Sequence, residues 1–172
     1  HVVRQWKLDG EIPRTSQPHP SPVRTVSYSP NGQYLLTGCD DGIVRIWQTD
    51  RDELWKSFPA QASPVLAAAY SPDGTRIATG TSSGKLSLFQ VSDQHQLAAL
   101  DLGQSVVSVS FSPNNQYIAA AAADRLWLFA ADGRPLVALP HPSSAVPLSI
   151  EFSADSRSLF AVLKSHRLRV LP

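Results

Sequence analysis

Ser29-Pro30-Asn31-Gly32 is a turn phrase that returns three more times along the chain. It recurs as Ser71-Pro72-Asp73-Gly74, Ser112-Pro113-Asn114-Asn115 and Ser153-Ala154-Asp155-Ser156, so that the serines lie 42, 41 and 41 residues apart. Proline presets φ, and Asn or Gly tolerates the left-handed conformation that closes a tight turn. A period near 41 residues, with a turn followed by β-rich segments each time, predicts a radial array of four-stranded antiparallel sheets.

Alignment on the serines predicts the strands of each unit. The first strands are predicted at Val23–Tyr28, Val65–Tyr70, Val106–Phe111 and Pro147–Phe152. In these segments every second side chain is largely apolar and the side chains between them are largely small. This period-two alternation is typical of a strand. Second strands are predicted near 34–37, 76–79, 117–120 and 158–161, and third strands are predicted to end at Trp47, Phe89, Phe129 and Val170. Weaker fourth strands are predicted near 53–58, 96–100 and 135–139.

The repeat divides the chain into units of one all-β domain. Residues 1–21 are predicted to hold the third and fourth strands of a preceding unit, because 2–6 match 43–47. Three full units follow at 22–63, 64–104 and 105–144, and a partial last unit of three strands occupies 145–172. Both end pieces would supply a third strand, so closure into a four-unit ring is disfavoured. Since the chain begins with His1 and has no methionine, we expect it to be part of a longer product and of a larger ring.

Composition argues against several classes of protein. The 172 residues are 42% hydrophobic and 17% charged with a formal net charge of +1, so no global field attracts nucleic acid or a membrane surface. The single cysteine, Cys39, cannot form an internal disulfide and is expected to be a small buried residue in a reducing compartment. No apolar run of about 18 residues occurs. These features predict a cytoplasmic protein without a cofactor or metal, because the five histidines are dispersed.

One run of the first unit carries a family resemblance. His19, four residues before Val23, and the segment 37–47 (Thr-Gly-Cys-Asp-Asp-Gly-Ile-Val-Arg-Ile-Trp) resemble the WD-repeat β-propeller family. The resemblance implies a hydrogen-bonded chain within the blade formed by His19, Thr37, Asp41 and Trp47. Later units depart from this set: the second has Gln61, Thr79, Ser83 and Phe89, the third has Ala120 and Asp124, and the fourth has Ala161, Ser165 and Val170.

The resemblance also implies a function. Such rings are usually seven-bladed, and their usual activity is the docking of proteins or peptides on one face of the ring. Similar arrays in bacteria often form the sensor part of large signalling NTPases. The resemblance therefore implies a non-enzymatic scaffold or sensor with a protein or peptide partner.

Enzyme chemistry has little support in the sequence. The segment 80–85 ends in Gly-Lys like a phosphate loop, but its first glycine is one residue too close and Leu86 stands where a Ser or Thr is needed. A strand rather than a helix is predicted to follow it, so a hairpin turn is the favoured interpretation. No Gly-x-Ser-x-Gly turn occurs.

Arg24 is the most informative candidate for partner binding. It takes a position that is Leu66, Val107 and Leu148 in the other units, at the start of the innermost strand. It is either solvated or locally paired, or it is a docking contact at the rim of the channel. Asp40, Ser82 and Lys164 are predicted to lie on the same face. A ligand of all four residues would be an extended acidic and polar segment.

Two questions stay open at this stage. Arg167 and Arg169 align with Val44 and Ile46, so that either the register of the last strand slips by one residue or that face is unusual. The function also has alternatives: an accessory propeller of a secreted hydrolase or envelope translocation system, and a half-ring that closes by pairing with a second copy.

Overall fold

The computed structural model describes residues 1–6, 14–15, 18–59, 61–123, 125–140, 147–164 and 168–171. These residues form seventeen strands and no helix. The strands make three four-stranded sheets, one three-stranded sheet and one two-stranded ribbon, all antiparallel. The predicted all-β architecture of four-stranded antiparallel blades is confirmed, and within the described residues the blades do not close a ring.

The strands follow the repeat in chain order. The ribbon consists of β1 (Arg4–Gln5) and β2 (Arg14–Thr15). The first blade contains β3 (Val23–Tyr28), β4 (Tyr34–Cys39), β5 (Val44–Gln48) and β6 (Leu54–Ser57). The second contains β7 (Val65–Tyr70), β8 (Arg76–Thr81), β9 (Lys85–Gln90) and β10 (Gln96–Asp101).

The remaining strands repeat the same order. The third blade contains β11 (Val106–Phe111), β12 (Tyr117–Ala122), β13 (Arg125–Ala130) and β14 (Pro135–Pro140). The last sheet contains β15 (Pro147–Phe152), β16 (Leu159–Leu163) and β17 (Leu168–Leu171). The bounds of all four first strands coincide with the predicted ones, because each strand ends at a turn that the sequence itself marks.

The repeated serine builds that turn. Ser29 Oγ donates a hydrogen bond to Asn31 Oδ1 at 2.7 Å and accepts one from Tyr34 N at 2.9 Å. The same pair of bonds recurs at the three later serines. The fourth position of the phrase is left-handed in every unit, with φ of 70° at Gly32 and 61° at Ser156. The phrase is therefore a structural device that reverses the chain between the first two strands.

Neighbouring blades pack face to face through an apolar seam. The first seam buries Leu36 and Ile46 of the first blade against Tyr70 and Ile77 of the second. Small residues let the backbones approach, since a Cβ on Gly38 would lie only 2.6 Å from Val65 Cγ1. A Cβ on Gly80 would overlap Val106 in the same way at the second seam. The size of one residue in the second strand thus sets how closely the next blade packs.

The outer faces of the first and last sheets are more exposed than the seams. Val26 and Tyr28 are 53% and 49% exposed, whereas Tyr70, at the position of Tyr28, is buried. On the last sheet, Leu148 and Val162 are 56% and 47% exposed. Among the described residues no other blade covers these faces, so the side chains predicted to form the apolar face of the first strand in the first blade are about half exposed.

The predicted alignment of the last third strand is wrong by one residue. Leu171, not Val170, lies opposite Leu159, as Trp47 lies opposite Leu35. The innermost pair of β4 and β5 is Gly38 with Val44, and that of β16 and β17 is Val162 with Leu168. The two connections therefore have equal length, and the length of the connection fixes the register of a hairpin. Arg169 therefore takes the register position of Arg45 rather than that of Ile46, and Arg167 lies outside the described residues.

Candidate functional site

The predicted partner-binding residues share one end of their sheets. Asp40, Ser82 and Lys164 each follow the second-strand residue that pairs with the start of a first strand. This end is referred to as the Arg24 face, and the opposite end, which carries the Ser-Pro turns, as the Ser-Pro face. The two faces are separated by the length of a strand.

Arg24 and Asp40 form a two-point ion pair on the Arg24 face. Arg24 Nε donates to Asp40 Oδ1 and Arg24 Nη2 donates to Asp40 Oδ2, each at 2.6 Å. The side chains are 52% and 23% exposed. Hydrogen bonds from Arg24 lower the pKa of Asp40, and the same bonds raise the pKa of Arg24. The pair is therefore charged at neutral pH and holds the guanidinium in one orientation at the surface.

Ser82 and Lys164 stand apart from this pair. Both residues are exposed. Among the described residues, no hydrogen bond or ion pair connects either of them to Arg24 or Asp40. The structure thus places all four predicted residues on one face and brings only two of them into contact.

A buried polar chain holds the first blade together. Trp47 Nε1 donates to Thr37 Oγ1 at 2.9 Å, and His19 Nε2 is hydrogen bonded to the same oxygen at 3.2 Å. The rings of His19 and Trp47 are 4.7 Å apart, and all three residues are buried. Each such bond contributes roughly 1 kcal/mol, with a larger cost when one partner is removed.

Asp41, expected in the same chain, is engaged elsewhere. Its carboxylate accepts bonds from Arg45 Nη2 at 2.8 Å, Arg45 Nη1 at 3.3 Å and Ile43 N at 2.9 Å. Burial raises the pKa of Asp41, but the bonds from Arg45 and Ile43 outweigh burial and leave the pKa below its ordinary value. Sequence reasoning missed Arg45, although its distance of four residues from Asp41 across a tight turn was a signal for it.

Gly42 explains why this turn is so sharp. Its φ is 77°, and a Cβ there would run into the carbonyl oxygen of Gln61. Only glycine satisfies both conditions. The carboxylate of Asp41, one residue earlier, is thereby held against Ile43 and Arg45.

The second blade retains a modified polar chain. Gln61 Nε2 donates to Thr79 Oγ1 at 2.6 Å, so that Gln61 takes the part of His19. The side chain of Phe89, at the position of Trp47, has no N–H to donate to Thr79. Ser87 Oγ, on the neighbouring strand, accepts a bond from Gln96 Nε2 at 3.2 Å. The second blade departs from the residue set of the first, as the sequence indicates, but an amide and a hydroxyl reproduce the bond between His19 and Thr37 with a different residue type.

Apolar packing takes over at these positions in the later blades. Ala120 and Ala161, at the position of Thr37, are 0% and 1% exposed. Asp124 and Ser165, predicted at the position of Asp41, lie outside the described residues. Cys39 is a fully buried free thiol whose pKa is raised by burial, which matches the small buried residue expected at this position.

The segment that resembles a phosphate loop is a hairpin turn. Lys85 N donates to Thr81 Oγ1 at 3.0 Å, and β9 begins at Lys85 itself. A strand follows this turn where a phosphate loop requires a helix.

The described residues offer neither a metal site nor a membrane-spanning helix. No group of three or more His, Cys, Asp or Glu side chains in that part of the chain is placed to hold a metal ion. The described residues also contain no helix long and apolar enough to cross a membrane.

Comparison with known proteins identifies the family. The family model of the WD domain, G-beta repeat, matches residues 10–48, 53–90 and 96–128, which together cover well over half of the chain. These matches coincide with three successive repeats of the fold described above. The chain therefore belongs to the WD-repeat family.

The matches to named relatives extend over one to two repeats or over nearly the whole chain. The ribosome biogenesis protein BOP1 homolog of Leishmania braziliensis is 52% identical over 40 residues, which is 23% of this chain and 5% of that protein. The ribosome biogenesis protein YTM1 of Saccharomyces cerevisiae is 33% identical over 61 residues, 36% of this chain and 13% of that protein.

The longest of these alignments is to the cross-pathway control WD-repeat protein 2 of Flammulina velutipes. It is 26% identical over 179 positions, covering 98% of this chain and 44% of that protein. This chain thus spans less than half the length of the curated relatives it matches.

Proposed function

We propose that this chain is part of a non-enzymatic scaffold that docks a protein or peptide on its Arg24 face. The observation that carries the proposal is the Arg24–Asp40 pair, an oriented guanidinium at the surface in a position that is apolar in the other units. Residues presented at the ends of rigid strands are suited to recognition, because binding does not have to order them first.

The chemistry of the face defines the ligand. Arg24 uses Nε and Nη2 on Asp40, and Nη1 donates to no described residue, so that it remains available to an acceptor. Lys164 adds a second exposed cation and Ser82 an exposed hydroxyl. An extended segment with carboxylate and polar side chains complements this set.

The relatives support docking rather than a particular pathway. WD-repeat proteins generally act as scaffolds, and the relatives named above carry biogenesis or control names rather than the names of enzymes. The two ribosome biogenesis relatives match 40 and 61 residues, which is the extent of one or two repeats. We therefore propose, from these relatives, that this chain binds a protein, and we do not transfer the identity of any partner to it.

A half-ring closed by a second copy is a weaker candidate. In that arrangement the first blade of one copy would pack on the last sheet of the other, so that Val23, at the position of Val65, would face Val162. At the first two seams, Val65 faces Gly38 and Val106 faces Gly80. A Cβ on either glycine would overlap the valine that it faces. Val162 is larger, so head-to-tail pairing with the same geometry is sterically opposed.

The test compares two charge-neutral double substitutions in the full-length protein. Arg24→Ala with Asp40→Ala removes the pair on the Arg24 face. Asp50→Ala with Arg51→Ala removes an exposed ion pair with a separation of 3.6 Å near the Ser-Pro face and serves as the matched control. Proteins recovered from an extract are quantified for each variant, and candidates are purified and titrated against the scaffold.

We expect the first variant to lose a partner that the control retains, with unchanged melting temperatures for both. Each charged hydrogen bond at an interface contributes about 1.5–3 kcal/mol, so affinity should fall at least tenfold. Equal affinity of the purified partner for all three proteins would refute the Arg24 face as the docking surface.

A further inference from the structure

A cleft on the Ser-Pro face lies between the first and second blades. Its volume is about 180 Å³, and its walls include Pro30, Tyr34, Trp55, Tyr70, Asp73 and Val91. At about 30 Å³ per water, the cleft has room for roughly six water molecules, or for a small apolar side chain. It is separate from the Arg24 face, so a ligand here is independent of the function proposed above.

One wall of the cleft is a fixed aromatic stack. The rings of Tyr34 and Trp55 are 4.4 Å apart at an interplanar angle of 26°. Lys56 Nζ lies 4.4 Å from the centroid of the Trp55 ring and donates to the carbonyl of Val91 at 2.7 Å. Because Tyr34 and Lys56 hold Trp55 in place, its exposed part, 38% of the residue, is a rigid apolar surface.

The other blades show that this wall is not required by the fold. Trp55 is the bulge residue of the outer strand, and Leu97 and Leu136 take the same register position in the second and third blades. A leucine at this position is therefore sufficient to cover the sheet in the second and third blades. The tryptophan adds a flat ring and an N–H donor at this seam.

Tyr70 gives a second, independent sign of a ligand. It is 91% buried, and its hydroxyl has no hydrogen-bond partner among the described residues. Phe111 and Phe152 stand at the same register position in the next two blades, so packing does not need the hydroxyl. A buried hydroxyl without a partner is costly, which favours a role in binding an acceptor.

Asp73 supplies the charge of the cleft. Its Oδ1 accepts bonds from Ser71 Oγ, Thr75 N and Thr75 Oγ1, while its Oδ2 accepts none from the described residues. Asn31, also in the cleft wall, occupies the equivalent position in the first blade and is neutral. One carboxylate oxygen at the rim is thus available to a cation.

We propose that this cleft binds a short proline-containing segment of a partner protein that carries a basic side chain. The proline ring packs against the exposed edge of the Tyr34–Trp55 stack, the basic side chain pairs with Asp73, and a backbone carbonyl accepts a hydrogen bond from the Tyr70 hydroxyl. Extended proline segments have no internal hydrogen bonds and dock on aromatic surfaces at a low cost in entropy. A lone cation fits less well, because Lys56 already occupies the π surface of Trp55.

The probe is a labelled decapeptide, Pro-Pro-Leu-Pro-Pro-Arg-Pro-Leu-Pro-Pro, titrated into the full-length protein and followed by fluorescence anisotropy. One control peptide has alanine in place of every proline, and another has glutamate in place of arginine. The protein variants are Trp55→Ala, Tyr70→Phe and Asp73→Asn. Leu97→Ala, at the position of Trp55 in the second blade, is the matched control.

We expect both control peptides to bind at least tenfold more weakly than the probe. Trp55→Ala should weaken the probe at least tenfold, and Tyr70→Phe about fivefold, the equivalent of one hydrogen bond. Tyr70→Phe restores the residue of the later blades, so its melting temperature should be unchanged or higher. Leu97→Ala and the double substitution of Arg24 and Asp40 should leave the affinity unchanged.

Two results would overturn the proposal. One is equal binding of the proline and alanine peptides by the unsubstituted protein. The other is unchanged affinity for the probe in both Trp55→Ala and Tyr70→Phe. Loss of an unrelated partner at the Arg24 face bears on neither result, since the two faces are substituted separately.

Discussion

The first and third blades have the same strand order and differ in the chemistry of the residues that fill them. Around Thr37 the first blade buries a histidine and a tryptophan that share the threonine hydroxyl, beside a partly buried arginine–aspartate pair. Around Ala120 the third blade buries alanines from 119 to 122, all at 0% exposure. The difference shows that the blade itself needs filled space and satisfied backbone bonds, and that the polar chain is one of two solutions.

The largest loss of stability is expected from enlarging Gly38, whose small size lets the second blade pack against the first. Gly38→Val should destabilise the protein by about 3 kcal/mol or more, because its Cβ would overlap Val65 in the first seam. Urea unfolding at pH 7 measures the loss. Val162→Ala, at the equivalent but exposed position of the last sheet, should change stability by less than about 0.5 kcal/mol. Similar losses for both variants would contradict the account of the seam.

Substitutions at Thr37 and at Ala120 test whether the polar chain of the first blade and the apolar packing of the third are each needed where they occur. Thr37→Val deletes the hydroxyl that serves His19 and Trp47 and leaves buried donors without it, so it should cost about 2–3 kcal/mol. Ala120→Thr places a hydroxyl among alanines and should cost about 1–3 kcal/mol for the reverse reason. Thr37→Ser, which keeps the hydroxyl, is the control. A neutral Thr37→Val would show that the polar chain contributes no stability.

The smallest effect is expected in the pH dependence of the first blade. The pKa of Asp41 is lower in the folded protein than its ordinary value. The Asp41–Arg45 pair therefore contributes stability above the ordinary range of an aspartate, and this contribution is lost as the pH falls through the lowered pKa. Because both side chains are partly solvated, the contribution should be about 1 kcal/mol.

Comparison of unfolding free energies at pH 7 and pH 3 for the unsubstituted protein and for Asp41→Asn tests this assignment. The substituted protein should lose less stability on acidification. An identical loss in the two proteins would mean that other carboxylates account for the acid sensitivity.

Several features were accessible from sequence because they depend on local chemistry. The Ser-Pro turns fixed the ends of the first strands, since the side chain of Ser29 and the left-handed residue at Gly32 act within six residues of one another. The placement of Arg24 and Asp40 on one face followed from hairpin register. Their direct pairing was one of two interpretations, and geometry was needed to choose it.

Other features escaped the sequence because the partners are chosen by geometry across a turn or a seam. Asp41 met Arg45 rather than completing the chain with His19, since the sharp turn at Gly42 holds its carboxylate over the guanidinium. Gln61 replaced a histidine because an amide reaches the same hydroxyl of Thr79. The position of Leu171 depended on the pairing of β16 with β17, which a similarity of single residues does not determine.

The sequence by itself determined the blade, because a 41-residue period and alternating side chains are properties of consecutive residues. The tertiary structure alone decided which polar groups are paired, which residues share a face, and that Tyr34, Trp55 and Tyr70 meet at one cleft. The physical reason is distance along the chain. Strands and turns form between near neighbours in sequence, whereas seams and clefts bring together residues that are far apart in sequence, and their contacts cannot be inferred from the local pattern.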